Sequence, residues 1–384
     1  MNFQIPEQLE KAKGEFREFV EKEICPDADA NDRNEKFPIA LIRKIAAKGF
    51  LGASISREYG GSGWDQLKCG ILMEEIGRGC SSARSLLTSH LSLVSQTIQR
   101  CGTNGQKQYW LPQLVIGKRV GAFCLTESDA GSDTQNISGS YVEDNGAFIL
   151  NCSKKWVTFG QAADVFLVFA RNKKEVSAFL IDKQFPGVVV TPLKGMLGLK
   201  AAMLANIDFK EVRVPKDRLL GAKGFGLLQV MNTALDNGRY SVTLGSLGIA
   251  KAALKASIEF AKTRKQFNSY LKDHQLTKRK ITEMVTKVQA ASLLCYQVGT
   301  LRDSQHSTSI IQGCVAKYYT TTITSEITKE TVQLHGAYGC SEDSPVQRYF
   351  RDAKIMEIIE GTSEIQQILI ADEVFTNPQL MTDY

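Results

Sequence analysis

YVEDNGAFIL, residues 141–150, sets an Asn-Gly pair at 145 and 146 between two short runs that alternate along the chain. Asn-Gly is the pair that most readily places both central residues of a two-residue hairpin at positive φ, so the stretch predicts two antiparallel strands joined by a tight turn. The pattern continues in VFLVFA (165–170), VSAFLI (176–181), VVVTPL (188–193) and ANIDFKEVRV (205–214), and it closes near Val214-Pro215. No helix-length periodic segment separates these runs. They predict an antiparallel sheet domain over 120–223.

On both sides of this block the period returns to three and four. Upstream, apolar residues so spaced run over Ile39–Ala47, Leu67–Ile76, Ser85–Ile98 and Gln106–Ile116, with a small loop, YGGSGW, at 59–64. Downstream they run through LLQVMNTALDNGRYSVTLGSLGIAKAALKASIEFAKTR (227–264) and then over 273–302, 308–337 and 352–375. At 384 residues the chain exceeds one ordinary core. The reading is an α+β protein with a helical domain at 1–119, the antiparallel β domain at 120–223 and a four-helix bundle at 224–384.

Composition narrows the function. The formal charge of +6 is spread along the chain without basic blocks, which argues against nucleic acid. Nine cysteines include no CxxC pair, and four histidines show no HExxH spacing, so neither a disulfide framework nor a metal site is expected. The N-terminal stretch PEQLEKAKGEFREFVEKEI reads as a charged amphipathic helix, and no apolar run is long enough to span a bilayer. A cytoplasmic protein away from membranes is the expectation. Neither GxGxxG after a strand nor GxxxxGK[ST] before a helix occurs, so any nucleotide must be held differently.

The chemistry concentrates in RDAKIMEIIEGTSEIQQILIA (351–371). Two isoleucines, Ile358 and Ile359, lead into Glu360, Gly361 and Thr362, and Ser363 with Gln366 has the spacing of a capping box that opens a new helix. Glu360 therefore stands at a helix junction. Apolar flanks would strip its hydration and raise its pKa toward that of a general base working near neutrality; the plain alternative is a carboxylate facing solvent at a helix end.

This segment resembles the C-terminal signature of the acyl-CoA dehydrogenases, in which the Glu before Gly-Thr abstracts the substrate α-proton. The helix, strand, helix order is also that family's, and the resemblance spans essentially the whole chain. It implies FAD as cofactor. AFCLTESDAGSD (122–133) is similar to the segment lying against the flavin, which brings in Phe123, Leu125, Thr126, Gly131 and Ser132. KKWVTFG (154–160) is similar to the element packing on the flavin's far side, through Trp156 and Thr158. TRKQF (263–267), followed by DHQ, implies that Arg264 reaches the FAD diphosphate of a neighbouring subunit and that Phe267 packs near its adenine; the planar fork of Arg suits phosphate. VQLHGAYG (332–339) places Gln333 and Gly336 on that same neighbouring cofactor, with Ala337 where relatives have a second Gly. Thr362 matches the family pattern, and Glu364 departs from the usual Gln near the adenosine. These shared contacts imply a homotetramer.

Some branches of the family carry the base on the long helix, just before the Arg of a segment like LDNGR (235–239). Here that position is Gly238, so the resemblance assigns the base to Glu360, with Arg239 as the nearby cation. In SSARSLLTSHLSLV (81–94), Arg84 and Thr88 stand four apart on one helix face. In glutaryl-CoA dehydrogenases the corresponding segment holds an Arg for the distal carboxylate; the alternative is an Arg snorkelling from an apolar helix. CSSARSLLTSH together with the C-terminal segment most resembles the carrier-protein-directed members that make hydroxymalonyl or aminomalonyl extender units for polyketides. The expectation is α,β-dehydrogenation of a short polar acyl thioester on an acyl carrier protein or CoA. The alternatives are a catabolic short-chain or glutaryl-type acyl-CoA dehydrogenase and a flavin-binding scaffold without turnover. An electron-transfer flavoprotein and oxygen both stand open as the electron acceptor.

Overall fold

The computed structural model describes residues 6–173 and 175–379. Seven helices come first: α1 (Glu7–Glu23), α2 (Ala28–Arg33), α3 (Ile39–Ala47), α4 (Gln66–Gly79), α5 (Ser81–Leu87), α6 (Gln96–Cys101) and α7 (Asn104–Val115). The expected helix over 85–98 is real but not uniform. Thr88–Ser95, between α5 and α6, is π-helical, a form that recurs at functional sites.

The sheet follows as β1 (Gly121–Cys124), β2 (Ser140–Asp144), β3 (Ala147–Val157), β4 (Val165–Asn172), β5 (Glu175–Asp182), β6 (Val188–Pro192), β7 (Ala205–Pro215) and β8 (Leu219–Leu220). Its order is β6-β7-β3-β2-β4-β5-β8, with β1 beside β4. Asn145 (φ 42°) and Gly146 (φ 83°) make the predicted two-residue turn, opposing Asp144 to Ala147. Most pairings are antiparallel, as expected. The exceptions involve β4, which runs parallel to β1 and, at one residue pair, to β2.

Strands β4 and β5 read as nearly continuous apolar runs because both of their faces are covered. Phe166, Val168, Ala170, Phe179 and Ile181 join a core on one face of the sheet with Tyr141, Phe148 and Phe209. Their neighbours Val165, Leu167, Phe169, Val176, Ala178 and Leu180 join the larger core of the helices.

The remaining helices are α8 (Asn232–Thr263), α9 (Gln275–Asp303), α10 (Ser309–His335), α11 (Pro345–Ile358) and α12 (Ser363–Thr376). Helix α8 is the central rod. It packs against α4 of the first helical layer and against α9, α10 and α11 of the second. Close approach to α4 needs residues without side chains: a Cβ on Gly77 would stand 2.6 Å from the Gly245 carbonyl oxygen. Among the described residues no helix is long and apolar enough to cross a membrane, and no His/Cys/Asp/Glu group is placed to hold a metal ion.

Candidate active site

Between α11 and α12 the chain passes through two consecutive left-handed residues, Glu360 (φ 58°) and Gly361 (φ 89°). Glycine takes that conformation freely, whereas glutamate does not. Thr362 caps α12 by accepting from the Ile365 amide at 3.4 Å. The capping box expected at Ser363 is therefore one residue early: Gln366 instead turns back and donates to the Gly361 carbonyl at 3.0 Å.

The turn drives the Glu360 side chain inward, onto α8. A Cβ on Gly238 would collide with Glu360 Oε2 and stand 2.6 Å from Leu93 Cδ2, so the absence of a side chain at 238 is what makes room for the carboxylate. Oε2 is buried without a hydrogen-bond partner. Burial pushes the Glu360 pKa up to about 7, against the pull of Arg239, Arg84 and Lys317. The solvent-facing alternative is excluded by this geometry.

Seven residues along α8, two helical turns or about 10 Å, Gly245 makes a second notch. A Cβ there would stand 2.7 Å from Arg84 Cδ and Nε. Arg84 is wholly buried, so it does not snorkel. Its Nη1 donates to Thr88 Oγ1 at 2.7 Å, and Nη2 lies 3.2 Å from Met356 Sδ, one helical turn before Glu360. Thr88 Oγ1 is 2.7 Å from Ser241 Oγ, which ties the pair to α8. Nε has no partner, and no carboxylate forms a salt bridge with Arg84 among the described residues. Burial lowers its pKa to about 10, opposed by the charges of Glu360 and Asp352. Arg239, buried beside Gly238, also has an unpartnered Nε.

One member of this cluster was not anticipated. Lys317, in the third turn of α10, is wholly buried, and its Nζ donates to the carbonyls of Gly361 at 2.7 Å and Glu357 at 3.2 Å. A single lysine inside SIIQGCVAKYYTTTITSE reads as a solvated helix position. Only the run of threonines after it, whose hydroxyls return to carbonyls four residues back, hints that this face is covered.

The segments around Thr126 and Trp156 come together. The Lys155 amide donates to the Thr126 carbonyl at 2.8 Å. Beneath them a buried ion pair joins Lys154 Nζ to Glu127 Oε1 at 2.6 Å, and the same ammonium donates to the Leu125 carbonyl at 3.1 Å. Glu127 also accepts from the Ser138 amide and hydroxyl and from the Gly139 amide. Burial alone would raise the Glu127 pKa, but Lys154 and the Ser138 donors hold it below the usual carboxylate range. On this base Leu125 is buried, Phe123 and Thr126 are half-buried, and Gly131 and Ser132 face outward. Nothing lies within 4 Å of a Cβ built on Gly131. Trp156 is left-handed (φ 54°) with 48% of its surface open. Thr158 accepts through its carbonyl from Ser89 Oγ at 3.2 Å, which links this wall to the helix carrying Arg84. An open face floored by backbone and walled by an exposed indole fits a planar ring.

Arg264, Phe267, Gln333 and Gly336 lie elsewhere on the protein. Phe267 (φ 51°) and Asn268 (φ 61°) form the tip of a two-residue hairpin between Lys265–Gln266 and Ser269–Tyr270, and Phe267 is 92% exposed. Phe260 at the end of α8 stacks on His335 at the end of α10, with ring centroids 4.2 Å apart, and so brings the two segments side by side. All four residues face solvent. Glu364, in the first exposed turn of α12, has a lowered pKa because its own amide and Thr362 donate to it.

Residues 6–118, 122–212 and 224–375 match, in turn, the N-terminal, middle and C-terminal domains of acyl-CoA dehydrogenase. The short-chain specific acyl-CoA dehydrogenase of Clostridium acetobutylicum is 34% identical over 380 residues, covering 98% of this chain and 100% of that one. Among solved structures, a glutaryl-coenzyme A dehydrogenase in complex with glutaryl-CoA superposes with a TM-score of 0.93 at 33% identity, covering 98% of this chain and 97% of that one. FkbI, described as serving biosynthesis of the methoxymalonyl extender unit of the polyketide FK520, does so at 0.86 and 29% identity, covering 95% and 99%.

Proposed function

The chain belongs to the acyl-CoA dehydrogenase family, FAD-dependent oxidoreductases acting on CH–CH bonds, and on that premise we propose that it α,β-dehydrogenates a short acyl thioester with a polar end. The observation that carries the substrate class is Arg84. It is a wholly buried guanidinium with an unpartnered Nε, held by neutral acceptors close to the Glu360 carboxylate. A buried charge is expensive unless something compensates it, and an acyl group bearing a carboxylate or hydrated aldehyde would do so. A fatty tail would not.

In this reading Glu360 is the base. Its carboxylate, raised toward neutrality by burial, takes the α-proton at Oε2, and the adjacent Arg239 stabilises its anionic form beforehand. FAD held at this site would supply a hydride acceptor for the β-hydrogen. The chain's contribution is to hold the ring: Phe123, Leu125, Thr126, Gly131 and Ser132 on one side, Trp156 and Thr158 on the other, Thr362 and Glu364 near α12. Arg264, Phe267, Gln333 and Gly336, which are exposed to solvent, serve the cofactor of a neighbouring subunit in a homotetramer. Arg84, oriented by Thr88, fixes the polar acyl end so that Cα is presented to Glu360.

We further propose delivery on an acyl carrier protein, giving a hydroxymalonyl- or aminomalonyl-type extender unit: oxidation of the aldehyde hydrate yields an ene-diol that tautomerises to the acid. The likeness to FkbI supports this. The likeness to the short-chain and glutaryl-CoA enzymes supports a second reading, a catabolic acyl-CoA dehydrogenase. Anaerobic flavin bleaching against matched acyl-carrier and acyl-CoA thioesters separates the two. The first reading expects the carrier-bound polar C3 thioesters to bleach fastest; fastest bleaching by butyryl- or glutaryl-CoA overturns it.

A further inference from the structure

Two consecutive left-handed residues at a helix junction need support from outside the turn, and the support at Glu360 comes from two buried side chains. Gln366 donates to the carbonyls of Glu360 and Gly361 at 3.4 and 3.0 Å. Lys317 reaches across from α10 and joins the last turn of α11 to the far side of the base, through the carbonyls of Glu357 and Gly361. The ammonium thus brackets Glu360 in sequence. It has no exposed surface, and it makes no carboxylate salt bridge among the described residues.

From this bracketing we infer that Lys317 is a positioning residue for the base: it fixes the left-handed backbone that aims the Glu360 carboxylate at Gly238, and its charge favours the ionised form of that carboxylate. The inference rests on Glu360 being the base. The charged and titratable groups facing Lys317 are Arg239 from α8, Glu357 from α11, Glu360 from the turn, Glu364 from α12 and Cys314 from its own helix; Glu360 itself is faced by Arg239, by Arg84 from α5 and by Lys317. Burial lowers the Lys317 pKa to about 8, with Glu360 the largest opposing influence. Near neutral pH the ammonium is therefore charged beside a carboxyl that is losing its proton.

The two parts of the role separate in two variants. Lys317→Gln retains a donor for one carbonyl but no charge, and Lys317→Met retains neither. The protonation midpoint of Glu360 is read without substrate, from the carboxyl band in infrared difference spectra of the FAD-loaded protein between pH 5 and 10, with Glu360→Gln subtracted to identify the band. Both variants should raise that midpoint by about one pH unit, the order expected for loss of one nearby cation. Flavin reduction by the best short acyl thioester should slow ten- to a hundredfold in Lys317→Met and less than tenfold in Lys317→Gln. A midpoint unmoved in both variants overturns the inference and leaves Lys317 a helix-end cap. The premise fails separately, if Glu360→Gln still bleaches its flavin at the parent rate. Should Lys317→Met not fold, the midpoint of Lys317→Gln alone decides.

Discussion

Replacing Arg84 with Met should move activity and stability in opposite directions. The guanidinium is buried with its pKa drawn from its ordinary value down to about 10. Its folded pKa lies below its unfolded one, so the fold disfavours the charged form at every working pH below about 10. A shift of that size corresponds to about 3 kcal/mol of destabilisation. Met fills much of the same volume without the charge and loses the hydrogen bond to Thr88 and the weaker ones to Ser81 and Met356 Sδ, together worth about 1–2 kcal/mol net. Thr88 keeps its contact with Ser241. The balance is a gain of about 1 to 2 kcal/mol, read as a thermal midpoint raised by about 1–3 °C in the FAD-loaded protein. Activity should fall: loss of a charge-assisted contact to the acyl end, about 1.5–3 kcal/mol, slows flavin reduction by polar C3 thioesters about ten- to a hundredfold. Reduction by butyryl thioesters should be kept or improved. A Met variant that processes polar thioesters at the parent rate, or that melts several degrees lower, would refute the reasoning, because Arg84 would then be a packing residue.

Glu360→Gln should keep FAD and abolish substrate-dependent bleaching at every pH, while the parent gains activity as pH rises through about 7. The same substitution should help the fold most at high pH. The raised folded pKa of Glu360 contributes stability that is full below about 4.5 and lost as pH rises through about 7, so the difference in midpoint between variant and parent should grow across that window. Lys154→Met leaves Glu127 buried without its cation and should cost about 3–5 kcal/mol by denaturant titration; Glu127→Gln added to it should recover part of that loss. Arg264→Ala, on an exposed hairpin, should change the stability of the FAD-free protein by less than about 0.5 kcal/mol. It should nonetheless release FAD on gel filtration, and a monomer that retains FAD tightly would end the shared-cofactor assignment.

The parts of this protein that were legible in its sequence are those set by local periodicity. The strands showed as alternation and doubly covered runs, and the Asn145-Gly146 turn as a residue pair with one strongly favoured geometry. The parallel joins of β4 were not legible, because pairing direction depends on where distant strands meet. At the site, the Ile-Glu-Gly-Thr order marked a junction, but the apparent cap at Ser363 was displaced to Thr362 by two left-handed residues that no pattern of apolar spacing encodes. Lys317 was missed for a related reason. Burial of a lysine is decided by α8 and by the α11–α12 turn, both distant in the chain. Arg84 and Thr88 were legible as an i, i+4 pair, yet the notch at Gly245 that lets Arg84 lie against α8 shows only when the helices are packed.

The sheet's two coverings also bear on how the chain acquires its structure. One face closes on itself; the other, through Val165, Leu167 and Phe169, is finished by the surrounding helical layers. A nascent chain released as far as Pro215 has every strand of the main sheet but the two-residue β8 and still lacks helices α8 to α12. Since α8 packs against both α4 and α10, the last segment to be synthesised completes the cores of the earlier ones. The three regions distinguishable by sequence period therefore share one core along α8. An excised 120–223 fragment would present an uncovered apolar sheet, and helper proteins that shield such surfaces during synthesis would be expected to engage this chain until its C-terminal third emerges.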